Sequence, residues 1–154
     1  MSETLTIYID ADACPVREEV YKVSLRHIVP IIIVSNSYIR IPEHPLITRM
    51  IVSNSFDAAD DYIAERAGVN AVVITADILL ADRCIKAGAK VIGPNGKAFT
   101  PDNIGSAKAT RAMMDDMRAG SIGENIGGPK PFSPADRSRF LQALHETLVQ
   151  MKRE

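Results

Sequence analysis

Leu5-Thr6-Ile7-Tyr8-Ile9-Asp10-Ala11-Asp12 is an apolar run of strand-forming residues that stops at two carboxylates. A second run, Ala71-Val72-Val73-Ile74, stops in the same way, at Thr75-Ala76-Asp77. A third group of acids, Asp57, Asp60 and Asp61, follows the short run Met50-Ile51-Val52-Ser53. Only Asp82 is set deeper, one turn into the helix that begins after Asp77. Short, wholly apolar runs are the pattern of strands buried on both faces, as in parallel sheets. Parallel neighbours would collect these carboxylates at one edge of one sheet, where open α/β sheets place their ligands.

Working outward, strand and helix patterns alternate. Pro15 suits the first position of a helix reaching about His27, and Val29 to Val34 reads as a second strand. Residues 35–49, with Pro42 and Pro45, read as a loop that leads into an extended segment at Met50 to Ser53. Helices are expected over 57–67, 77–87 and 101–119, with Gly68, Gly88 and Gly120 suited to left-handed C-terminal caps. Lys90-Val91-Ile92 is the last expected strand and Asn95-Gly96 a turn. Thr100-Pro101 and Ser133-Pro134 each place a capping residue before a proline, and Phe140, Leu144, Leu148 and Met151 stripe the final helix. The Gly- and Pro-rich stretch 120–132 is longer than a connection requires. Ile33-Val34-Ser35-Asn36-Ser37 is echoed by Ile51-Val52-Ser53-Asn54-Ser55, which suggests two strands ending in similar polar turns. The pattern predicts one α/β domain over 1–154, with a parallel sheet of about five strands flanked by helices in 1–96 and a helical C-terminal extension in 97–154.

Composition narrows the function classes. The 154 residues are 46% apolar and 24% charged with a formal charge of −1, so no global field draws the chain to nucleic acid or membrane. Residues 1–96 carry nine basic and twelve acidic side chains, and 97–154 carry nine and seven, so the acidic pole belongs to the sheet. With no apolar stretch near 18 residues and no signal peptide pattern, the expectation is a cytoplasmic protein without a membrane partner. Cys14 and Cys84 have no metal-ligand spacing and read as reduced thiols. His27, His44 and His145 are scattered singly and read as surface or packing residues.

Clustered carboxylates repel one another, and a hard divalent cation relieves the cost. With oxygen donors and no competing His or Cys group, Mg²⁺ or Mn²⁺ is favoured. Asp10 and Asp77 are the expected direct ligands, with Asp12, Asp57 and Asp60 completing the site or acting through water. Such a site can activate water and stabilise the leaving oxygen of a phosphodiester. Helix capping explains Asp12, Asp57 and Asp77 one at a time, but not Asp10 together with Asp12, nor Asp60 inside its helix. Lys108, Arg111 and Arg118 share roughly one helix face; they, Lys130, Arg137, Arg139 and Arg40 are candidates for phosphate contacts, against the plainer reading of a solvated face. Asp10-Ala11-Asp12 also resembles the first motif of haloacid-dehalogenase-type phosphatases, though their later lysine and paired acids are not evident. A cysteine phosphatase fails, because Cys14 leads to Val20 and Cys84 to Lys90, and Gly93 to Lys97 lacks P-loop spacing.

Asp10-Ala11-Asp12-Ala13-Cys14-Pro15, Arg40-Ile41-Pro42, Phe56-Asp57-Ala58-Ala59-Asp60, Ile74-Thr75-Ala76-Asp77-Ile78 and Gly127-Gly128-Pro129 together resemble the bacterial YaiI/YqxD family along essentially the whole chain. That family is similar in turn to PIN-like nuclease domains, which hold Mg²⁺ or Mn²⁺ with acids and cut RNA or DNA. The resemblance implies a PIN-like fold with Asp10, Asp60 and Asp77 as metal-binding acids, Asp12 and Asp57 as further candidates, and Thr75 as the hydroxyl before the strand-four acid. Asp61 and Asp82 fall outside the matching strings. The reading is a metal-dependent nuclease, RNA favoured, with Asp10, Asp12, Asp60 and Asp77 catalytic and Arg40, Arg111 and Arg118 on backbone phosphates. A small-molecule phosphatase using Asp10 as nucleophile and a non-catalytic RNA-binding or regulatory module remain open, since a fold does not fix function.

Overall fold

In β1, which spans Thr6–Asp10, the alternation of a strand sends Ile7 and Ile9 to one face of the sheet and Tyr8 and Asp10 to the other. This computed structural model describes residues 4–11, 14–55, 57–120 and 132–153, with the side chains at 111 and 114–120 outside that description. After β1 come α1 (Arg17–His27), β2 (Ile31–Ser35), β3 (Ile47–Ile51), α2 (Ala58–Arg66), β4 (Ala71–Ile74), α3 (Ile78–Lys86), β5 (Lys90–Ile92), β6 (Ala98–Phe99), α4 (Ile104–Gly120) and α5 (Pro134–Lys152). The sheet order is β3-β2-β1-β4-β5-β6. The first five strands are parallel and β6 is antiparallel to β5. This arrangement fits a PIN-like α/β fold.

Two apolar layers sandwich the sheet. On one face Ile7, Ile9, Ile31 and Ile33 pack with Val20 and Val23 of α1 and with Phe140, Leu144 and Leu148 of α5. On the other, Tyr8, Val34, Val73 and Val91 pack with Ile63 of α2, Leu80 and Cys84 of α3 and Ile104 of α4. The stripe expected on the last helix is therefore realised, with Phe140, Leu144 and Leu148 fully buried. α5 starts on a capping box: Ser133 Oγ accepts from Asp136 N, and Asp136 Oδ2 accepts from Ser133 N. Among the described residues no helix is long and apolar enough to cross a membrane.

Several boundaries differ from the sequence expectation. α1 begins after Pro15, with Val16 at its cap, and ends on Ile28 in a left-handed conformation at φ 57°. β3 starts at Ile47, earlier than expected, because pairing with β2 from Ile31 onward overrides the proline signals before it. A sixth strand, β6, closes a hairpin over the Asn95-Gly96 turn; two residues carry no readable period. Gly88 has φ +95° as expected after α3, but α2 ends on an extended Ala67 and α4 runs through Gly120. The echoed Ser motifs do form similar turns: Ser37 N donates to Ser35 Oγ at 3.1 Å and Ser55 N to Ser53 Oγ at 3.3 Å. The stretch 121–131 lies outside the described residues.

Gly96 is the position where the backbone demands glycine. Its φ is +87°, and a Cβ there would meet the carbonyl carbon of Arg139 at 2.6 Å and Phe140 N at 2.8 Å, in the backbone of α5. Gly96→Ala should therefore destabilise the protein by about 1–3 kcal/mol in urea denaturation. Gly68→Ala, where a Cβ meets nothing within 4 Å, is the control expected to be close to neutral.

Candidate functional site

Ile9 of β1 pairs with Ile74 of β4, so the next residues, Asp10 and Thr75, lie side by side on the α2/α3 face. Thr75 Oγ1 donates to Asp10 Oδ2 at 2.9 Å and accepts from Asp77 N at 3.0 Å. Thr75 is fully buried and Asp10 nearly so. One hydroxyl thus ties the ends of two strands to the start of α3. The site sits at the topological switch point: from β1 the sheet grows one way through β2 and β3 and the other way through β4 and β5. The crevice at the carboxyl ends of such strands is the usual ligand position in open α/β sheets.

The helix-start aspartates behave differently from one another. Asp77 is a true N-cap, its Oδ1 accepting from Leu79 N at 2.9 Å and Leu80 N at 3.3 Å. Asp57 holds the same position on α2 but makes no capping bond with its side chain, and it is exposed. Asp60, in the first turn of α2, is half-buried. Burial and then the charges of Asp77, Asp10 and Asp57 push its carboxyl up to about 6, against a smaller opposing effect of Arg83. That pattern means four carboxylates act on one small region. Asp12 lies outside the described residues. Among the described residues no three acids, imidazoles or thiols stand close enough to close on a metal ion. The donors gathered here are carboxylate oxygens and one hydroxyl, which suit a hard divalent cation.

Residues 8–150, which contain every part of this site, match the family model described as "Uncharacterized BCR, YaiI/YqxD family". The chain belongs to the YaiI/YqxD family. A UPF0178 protein of Sphingopyxis alaskensis is 62% identical over 147 residues, covering 96% of this chain and 95% of the relative. Another from Azorhizobium caulinodans is 56% identical over 151 residues, covering 98% and 94%. A third, from Bradyrhizobium diazoefficiens, is 54% identical over 154 residues, covering 99% and 91%. No solved structure matches the chain at a significant level.

In this YaiI/YqxD protein the basic side chains are placed less simply than the acids. Arg40 is exposed in the connection whose Ile39 and Ile41 pack on the α1/α5 layer, across the sheet from Asp10 and Thr75. Lys108 is held at 3.2 Å by Asp82, which Lys86 also meets at 3.0 Å; these bonds tie α4 to α3 and keep the Asp82 carboxyl below its ordinary range. Arg137 pairs with Glu19 at 2.9 Å and Arg139 with Asp136. The side chains of Arg111 and Arg118 lie outside the described residues. Met113, also on α4, is exposed.

Sequence reasoning missed Arg83, which bonds Asp61 at 2.9 Å and so links α3 to α2 beside Asp60. It also missed Arg49, whose guanidinium lies 4.2 Å from the Tyr38 ring centre. Both involve long side chains meeting across elements. Burial raises the Cys14 thiol to about 12 and the Cys84 thiol to about 11, so neither is a nucleophile at neutral pH.

Two substitutions separate capping from charge clustering. Asp77→Ala removes two capping bonds and should cost about 0.5–2 kcal/mol, whereas Asp57→Ala, which removes none, should change stability little in thermal melts. Asp60 carries the opposite sign. A carboxyl whose folded pKa is raised stabilises the fold fully below its ordinary value of 3.8, and this is lost as pH rises through about 6. Asp60→Asn should therefore melt above wild type at pH 7.5, by an amount on the order of 1 kcal/mol, and lose that advantage near pH 4.

Proposed function

We propose that this protein hydrolyses phosphodiester bonds in nucleic acid, RNA before DNA, using Mg²⁺ or Mn²⁺ held by Asp10, Asp60 and Asp77 with Asp12 and Asp57 beside them. The observation that carries this reading is the common electrostatics of Asp10, Asp57, Asp60 and Asp77 at the switch point. Three carboxylates that, after burial, raise the proton affinity of a fourth form a site short of positive charge. The preference for RNA rests on the PIN-like resemblance alone.

Each residue has a role that its surroundings support. Thr75 fixes the Asp10 carboxylate by donating to Oδ2, so that its orientation is set before any ligand arrives. Asp77 is held by the first turn of α3, with both capping bonds on Oδ1. Asp60 is brought toward both by α2, which the Arg83–Asp61 bond fastens to α3. A bound divalent ion would supply polarisation of the phosphodiester and an acidified water. For phosphate contacts, Arg111 and Arg118 are the candidates on α4, which packs on α3 on the site's own face, with the exposed Arg40 a third.

Thermal melting with Mn²⁺ or Mg²⁺, paired with cleavage of a single-stranded RNA oligonucleotide, tests the proposal. Metal at about 100 times its dissociation constant should stabilise wild type by roughly 2.7 kcal/mol. Asp10→Asn and Asp60→Asn should abolish that shift and lower cleavage by about 100-fold or more. Absence of both a metal shift and cleavage in folded wild type would sink the nuclease reading. RNA binding that survives loss of Asp10 and Asp77 would point to a binding module, and a trappable phospho-aspartate at Asp10 to a phosphatase.

A further inference from the structure

His27 and His145, read from sequence as isolated, meet across the packed helices α1 and α5. His27 Nε2 lies 2.9 Å from His145 Nδ1, with ring centres 5.0 Å apart. Lys152 Nζ stands 3.1 Å from His27 Nδ1 and donates to the carbonyl oxygen of His27 at 2.7 Å. An ammonium only donates, so His27 Nδ1 must accept and its proton sits on Nε2. That proton is donated to His145 Nδ1, which places the His145 proton on Nε2. The three groups form a one-way chain, Lys152 to His27 to His145, that exists only while both imidazoles are neutral.

We propose that His27, His145 and Lys152 form a pH-sensitive latch that holds the last turn of α5 on the end of α1 in neutral solution and releases it in mild acid. A proton on His27 puts an N–H against the Lys152 ammonium. A proton on His145 puts an N–H against the His27 N–H. Either change removes an acceptor and adds a charge. The groups that bear on His27 are Lys152, His145 and Arg26, each a cation or able to become one. Glu146, next to His145, is engaged by Gln142 at 2.6 Å. Burial first, then those three groups, lower the His27 pKa from its ordinary 6.5. A lowered imidazole pKa means the folded state binds fewer protons than the unfolded chain. The stabilisation is complete above about pH 6.5 and is lost as pH falls toward the folded-state value. Release is confined to the end of α5, because Phe140, Leu144 and Leu148 remain anchored in the core.

Amide hydrogen exchange of residues 149–152, corrected for intrinsic rates and compared at pH 7.5 and 5.5, tests the latch. Wild type should lose protection there several-fold more than the 140–148 segment does, and the His27→Gln, His145→Gln double variant should show no such pH dependence. Equal protection at the two pH values in wild type, or the same loss in the double variant, overturns the proposal. A second measurement needs no variant. In an NMR titration of wild type, His27 should titrate below 6.5, and a value at or above 6.5 overturns the latch even if the double variant does not fold.

Discussion

The bond from Thr75 Oγ1 to Asp10 Oδ2 is the contact around which the site is organised. It exists because β1 and β4 are parallel neighbours whose register sets Ile9 beside Ile74, and because the residue after each falls on the α2/α3 face of the sheet. A slip of one residue would turn Asp10 into the apolar layer of Ile7 and Ile9 and expose those isoleucines in exchange. The hydrophobic pattern that builds the core therefore also aims the carboxylate. Burial raises the value of this arrangement, since Asp10 has little access to water and depends on donors supplied by the chain.

The same logic explains the helices around the site. α3 begins where Asp77 can accept its first amides, so the acid that closes the crevice is also the residue that starts the helix. α2 begins at Asp57 without using that side chain as a cap. The first helix thus stabilises its own acid, and the second leaves its acids to their mutual repulsion. Asp60 registers burial first and this repulsion second as a raised proton affinity. The Asp61–Arg83 and Lys86–Asp82–Lys108 pairs take up acids that contribute nothing to the cluster and fasten α2, α3 and α4 to one another.

Most of this architecture was readable from the chain. The apolar runs predicted the parallel strands, and the residues after them predicted the sheet edge where Asp10 and Thr75 meet. The stripe Phe140, Leu144, Leu148 and the Ser133 cap predicted α5. What escaped reading depends on geometry between distant segments. His27 and His145 are 118 residues apart, and no local pattern joins them. Whether Asp57 or Asp77 caps its helix turns on backbone conformation, extended at Asp77 (ψ 110°) but not at Asp57 (ψ 13°), and identical helix-start positions carry no sign of it. Ile39 and Ile41 pack on the α1/α5 layer while Arg40 between them is exposed, a placement its neighbours in sequence do not announce.

The covering of β1 is divided between segments made at very different times. Tyr8 finds its partners in α2 and α3 as the middle of the chain appears, but Ile7 and Ile9 share their layer with Val20 and Val23 of α1, made at once, and with Phe140, Leu144 and Leu148 of α5, made last. During synthesis, at about 5–20 residues per second, the α5 share of that layer must wait for almost the whole remainder of the chain. Until α5 arrives, the isoleucine layer has only α1 to cover it, next to a half-built crevice. That interval is when it is most exposed to aggregation and most in need of a chaperone that recognises apolar strands.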